Sequence, residues 1–127
     1  MTKLHRLPTS HGSIVVQEAG HGNLPVLLIH GNSLSREVFR KQFSGALLGK
    51  YRLFALDLPG HGDSSNALNA CRTYTRPGLA NAAIEVLDLL GLSEVVVVGW
   101  SLGGHIALEM VPQFSGIKAC SSVELHP

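Results

Sequence analysis

The sequence predicts an α/β fold, a mostly parallel sheet with helices on both faces, and three observations lead there. Short runs of β-branched residues and leucine alternate with stretches whose apolar positions recur at helical spacing. The runs at 24–30 and 94–99 are apolar almost throughout, as strands buried on both faces are. Glycines and polar residues gather where such a run ends and a helix begins, the edge at which parallel sheets carry chemistry. With 127 residues the chain has the size of one domain.

Each element follows in order. Residues 13–19 alternate as a strand between Gly12 and Gly20, with a companion strand before them. Residues 24–30 form a buried strand ending at His30-Gly31. Val38, Phe39, Phe43, Ala46 and Leu47 predict a helix over 36–48, and 51–57 return to a strand. Residues 58–75 are rich in Gly, Asn, Ser and Pro and read as a loop. Leu79, Ala82, Ala83, Val86, Leu87 and Leu90 then make a regular helical stripe, with Asn81, Glu85 and Asp88 on the wet side and Gly91 as the stop. Residues 94–99 predict a second doubly buried strand, and Leu102, Ile106 and Met110 mark a helix over 102–111. Strand, helix, strand in succession demands right-handed crossovers and hence parallel pairing.

Composition excludes several functions. Apolar residues are 45% and charged residues 15%, against roughly 25% charged in ordinary domains, so the chain is built to bury surface and not to stay disordered. Ten Lys plus Arg against nine Asp plus Glu leave a net charge of +1, too balanced for a nucleic-acid or anionic-membrane surface. Cys71 and Cys120 sit in no CxxC pattern, so reduced thiols are expected in place of a zinc site or a disulfide. No secretory signal and no run near the ~20 residues of a membrane helix is present, and a cytoplasmic protein is expected.

Chemistry concentrates at three strand ends. Gly99-Trp100-Ser101-Leu102-Gly103 matches G-x-S-x-G between a strand and a helix, the context that motif requires. A sharp turn there exposes the Ser101 hydroxyl, and the backbone N–H of Leu102 becomes a donor for an oxyanion. The competing reading is that Ser101 only caps the helix. His30-Gly31-Asn32 ends the neighbouring strand: Asn32 N–H is the second oxyanion candidate, Gly31 permits close approach, and His30 makes structural hydrogen bonds across loops. In Asp57-Leu-Pro-Gly-His-Gly-Asp-Ser64, Pro59-Gly60 predicts a tight turn and Asp63 an acceptor of backbone N–H groups, with His61 not a catalytic base. His105 lies one turn along the helix from Ser101 and reads as packing or surface. No G-x-G-x-x-G follows the first strands, which argues against nucleotide binding.

The strand ending in HGN, the DLPGHGDS loop and the GWSLGG turn, in this order, resemble the N-terminal half of the α/β-hydrolase fold superfamily, in its serine-nucleophile branch. The resemblance implies Ser101 as nucleophile and Leu102 and Asn32 as backbone oxyanion donors, with His30, Gly31, Gly99, Trp100 and Gly103 in support. It implies hydrolysis of a small-molecule ester or acyl substrate with no metal and no cofactor. Branches with an aspartate nucleophile, such as epoxide hydrolases, are disfavoured.

In that family the acid and the histidine follow the serine, yet only 26 residues follow Ser101. The expectation is one partial domain over 1–127, an incomplete α/β-hydrolase fold without the late strands, the lid and the acid and His loops. After Ala119 the sequence turns polar where an apolar strand belongs. One codon choice for 118–127, read two bases later, yields Gly-Leu-Leu-Ile-Ser-Gly-Thr-Pro-Pro, so a frameshift or a sequencing truncation near Lys118 is expected. Glu124 and His126 are the substitute acid and base the chain itself offers, and a chain end gives them no fixed geometry. The rival function is therefore a truncated, inactive fragment or a family-derived binding protein. The run at 94–99, left near an open edge, predicts low solubility. No oligomeric state is read from the sequence.

Overall fold

The computed structural model describes residues 2–123. Strands β1 (Thr2–Thr9) and β2 (Gly12–Ala19) form an antiparallel hairpin, so the companion strand is present. Then come β3 (Leu24–Ile29), β4 (Tyr51–Leu56), α1 (Ala70–Thr73), α2 (Arg76–Leu89), β5 (Val95–Trp100), α3 (Leu102–Met110) and β6 (Ile117–Val123). The sheet order is β1-β2-β4-β3-β5-β6, with β4, β3, β5 and β6 mutually parallel and β2 antiparallel to β4. The α/β architecture is the one the apolar runs predict. Central β3 places the chain reversal, from β4 on one side to β5 on the other, where His30-Gly31-Asn32 emerges.

Helices α2 and α3 cover one face. Ile14, Val16, Leu27, Ile29, Phe54, Leu56, Val95 and Val97 meet Ala82, Ala83, Val86, Leu87, Ile106 and Met110 there in one apolar cluster. Each large side chain removed from water contributes about 1.5–3 kcal/mol, so this face supplies most of the driving force. The predicted stripe of α2 is the surface that is buried. Its start is fixed by Thr75, whose hydroxyl accepts the Gly78 N–H at 2.9 Å, with proline in the first turn.

The opposite face departs from expectation twice. Residues 36–48 do not form a helix but three short 3-10 turns, Arg36–Phe39, Gln42–Ser44 and Ala46–Gly49. Gly45 is extended at φ −105°, ψ −175°, which breaks the i→i−4 ladder where a helix would need continuity, and glycine costs about 1 kcal/mol there relative to alanine. The second departure is β5, predicted to be buried on both faces. Val95, Val97 and Gly99 are buried, whereas Val96, Val98 and Trp100 are only half-buried. The 3-10 turns cover Val26, Leu28, Leu53 and Ala55 with Phe39 but leave a groove of about 380 Å³ lined by Leu24, Leu47, Tyr51, Val96 and Val98.

The loop at 58–75 contains the single turn α1, capped by Asn69, whose side-chain oxygen accepts the Arg72 N–H at 3.1 Å. Strand β5 lies one position in from the edge of the sheet. The edge strand is β6, with Lys118, Ala119, Ser121 and Ser122 exposed, which is where the polar turn of the sequence falls.

Candidate active site

The turn from β5 into α3 holds Ser101 at φ 57°, ψ −114°. A non-glycine residue there stores roughly 1–3 kcal/mol of strain, tolerated only where the surroundings over-determine it. Close packing supplies that constraint. A β-carbon on Gly99 would lie 2.1 Å from the Gly103 carbonyl oxygen, and one on Gly103 would lie 2.1 Å from the Ile29 carbonyl oxygen. The first turn of α3 is therefore seated directly on the end of β3. The Ser101 side chain makes no capping hydrogen bond to the helix and the residue is exposed; only its carbonyl accepts, from Gly104 N at 2.9 Å and His105 N at 3.3 Å. That geometry removes the capping alternative. Leu102 N–H, in the first turn of α3, has no intrahelical acceptor. Trp100 points to the other sheet face beside Val96 and Val98, where it borders a cavity with Glu37, Arg40 and Lys41.

Gly31 brings the second loop to this turn. A β-carbon on it would sit 3.5 Å from the Ser101 β-carbon and 3.2 Å from the Trp100 carbonyl oxygen. Asn32 and Ser33 are exposed, in a turn closed by Leu34 N–H donating to Gly31 O at 3.3 Å, with Ser33 at φ 62°. His30 is fully buried; Nδ1 donates to Gly31 O at 2.7 Å and Nε2 accepts the Leu58 N–H at 3.0 Å. Burial holds its pKa below the ordinary histidine value, so the ring is neutral.

The third loop is organised around Asp57, a residue the sequence did not single out. Its buried carboxylate accepts the Arg36 N–H at 2.8 Å and the Asp63 N–H at 2.9 Å, and pairs with the Arg36 guanidinium. This corrects the role expected for Asp63, which is exposed and pairs with Arg36 at 3.1 Å through its side chain. Asp57 directly follows β4 and is fully buried, so it has the backbone donors, whereas Asp63 is exposed. Burial would lower the Arg36 pKa, but Asp57 and Asp63 raise it above the usual value. Nothing in the sequence around Arg36, where Ser35, Glu37, Arg40 and Lys41 are polar as well, marked it as the partner. Pro59-Gly60 forms the predicted turn, closed by His61 N–H to Leu58 O at 2.9 Å with Gly60 at φ 75°.

His61 is half-buried; Nδ1 donates to Pro59 O at 2.9 Å and Nε2 accepts the Ser33 N–H at 3.2 Å. His105 is half-buried on α3. Glu124 and His126 lie outside the described residues. Among the described residues no group of three or more His, Cys, Asp or Glu could hold a metal, and no helix is long and apolar enough to cross a membrane.

Comparison with known proteins gives the same frame. The chain is 40% identical over 111 residues to the magnesium-chelatase 30 kDa subunit of Rhodobacter capsulatus, and 27% over 106 residues to the AB hydrolase superfamily protein YisY of Bacillus subtilis. Those matches cover 82% and 84% of this chain but 38% of each relative, so the chain spans well under half their length. Among solved structures, N-acyl homoserine lactonase AidH complexed with N-butanoyl homoserine superposes with a TM-score of 0.91 at 44% identity, covering 96% of this chain and 45% of that one. Epoxide hydrolase VrEH1 from Vigna radiata gives a TM-score of 0.84 at 26% identity, over 97% and 38% of the two chains. The family model described as alpha/beta hydrolase fold matches residues 25–125, and on that match the chain belongs to the alpha/beta hydrolase fold family.

Proposed function

We propose that this chain carries the nucleophile half of a serine hydrolase for acyl esters and lactones, with N-acyl homoserine lactones the first substrates to test. The observation that carries the reading is Ser101: an exposed, uncapped hydroxyl on a strained turn at the head of α3, with the Gly31 loop packed beside it. The substrate class is supported by the 44–46% identity to structures of an N-acyl homoserine lactonase.

In this reaction the Ser101 oxygen attacks the acyl carbonyl carbon while its proton passes to a base. The tetrahedral oxyanion is held by the N–H groups of Leu102 and Asn32, and losing one such donor typically costs about 10²–10³ in rate. The ring C–O bond breaks, the alcohol oxygen takes the proton, and water hydrolyses the acyl-serine. The chemistry needs no metal or organic cofactor. His30 and His61 are excluded as the base, because both ring nitrogens of each are spent on backbone groups. The acid and the base belong, by the family's chain order, after Ser101.

The engagement of both loop histidines on backbone groups supports a second reading, a protein that binds acyl ligands through these loops without turnover. A fluorophosphonate probe, a p-nitrophenyl ester and N-hexanoyl homoserine lactone separate the two. Labelling at Ser101 and opening of the lactone, both lost in Ser101→Ala, are expected of the hydrolase. A folded chain that is neither labelled nor active leaves the binding protein.

A further inference from the structure

The two loops beside Ser101 are tied by a pair of histidines used reciprocally. His30, on the first loop, accepts the Leu58 N–H of the second; His61, on the second, accepts the Ser33 N–H of the first. Both tautomers are fixed by the same device. Gly31 O and Pro59 O only accept, so each bonded Nδ1 carries the proton and each Nε2 is left as a lone pair facing a backbone N–H. The rings lie 5.1 Å apart at 52°.

We infer that His61 is a positioning residue for the oxyanion loop, holding Asn32 and Ser33 in place through the Ser33 N–H. This rests on the hydrolase reading for its catalytic consequence, though not for its geometry. Ser33 is one of only two non-glycine residues with positive φ among the described residues, and the other is Ser101 itself. Such a conformation persists only where something holds it. Ser33 is exposed, so packing supplies little, and the His61 bond is the tether that reaches it from another loop. His30 cannot do this, because its ring fixes Gly31 O and Leu58 but makes no bond to the turn at 32–33.

The test compares the wild-type chain with His61→Ala and His61→Gln, the latter keeping a side-chain acceptor. Amide hydrogen exchange is followed by NMR at Asn32 and Ser33, with α2 as internal reference. His61→Ala is expected to speed exchange at Ser33 about fivefold or more, as loss of one hydrogen bond does, with α2 unchanged, and His61→Gln to restore part of the protection. In parallel, fluorophosphonate labelling of Ser101 is expected to slow about tenfold in His61→Ala and to recover in part in His61→Gln. Ser33 exchange within twofold of wild type in a folded His61→Ala chain overturns the tether. Faster exchange with unchanged labelling overturns the positioning role. If the wild-type chain never labels, the hydrolase reading fails instead, and the exchange comparison still decides whether His61 holds the loop.

Discussion

Gly103 shows how little room the site leaves. Any side chain there would meet the backbone of Ile29 and His30, groups that cannot swing away. Gly103→Ala is expected to destabilise the fold by about 3 kcal/mol or more, read from a urea unfolding curve, and equal midpoints for the two chains would contradict the close approach. His30 gives a pH dependence of defined sign. Burial lowers its pKa in the folded chain below the ordinary 6.5, so below that pH the unfolded chain binds a proton that the folded chain refuses. Its contribution to stability is complete above 6.5 and declines as the pH falls from there toward the folded value. His30→Asn should flatten the slope of stability between about pH 5 and 7, checked by urea titrations across that range. The turn at Ser101, the glycines that permit it and the cross-loop hydrogen bonds of His30 were legible because the motifs fix their spacing, whereas the contact His61 makes was not. Asp57 and Arg36 were not, since a carboxylate at a strand end looks the same in sequence whether it faces water or an arginine 21 residues away.

At the scale of elements, α2 was readable because its stripe and its Gly91 stop agree, and the structure adds the Thr75 cap. Thr75→Ala should cost about 1 kcal/mol, seen as a lower thermal midpoint, and a loss confined to the noise would show that tertiary contacts alone fix the helix start. The 36–48 segment had the apolar spacing of a helix but not the chain to support it. Gly45 interrupts it, and Arg36 is drawn to Asp57 through both its backbone N–H and its side chain. Periodicity records which positions prefer burial, and a run of 3-10 turns can satisfy that preference with poorer hydrogen bonds.

Across the whole molecule the two sheet faces differ in cover, and that difference is measurable. The groove along Leu24, Leu47, Val96 and Val98 should bind 8-anilinonaphthalene-1-sulfonate in the folded chain. Leu47→Lys, at a residue already exposed, should cut the fluorescence while changing stability by less than about 0.5 kcal/mol; undiminished fluorescence would place the dye elsewhere. The sequence by itself determined the α/β class, the parallel core and the turn at Ser101. These depend on local pattern: apolar runs, helical stripes and glycines at fixed offsets from a serine. Only the tertiary structure decided that one face of β5 stays half open, that Asp57 and not Asp63 gathers the backbone donors, and that His61 reaches Ser33. Each of those turns on which groups from distant parts of the chain come within hydrogen-bond or van der Waals range, and no local pattern encodes a distance across the sheet.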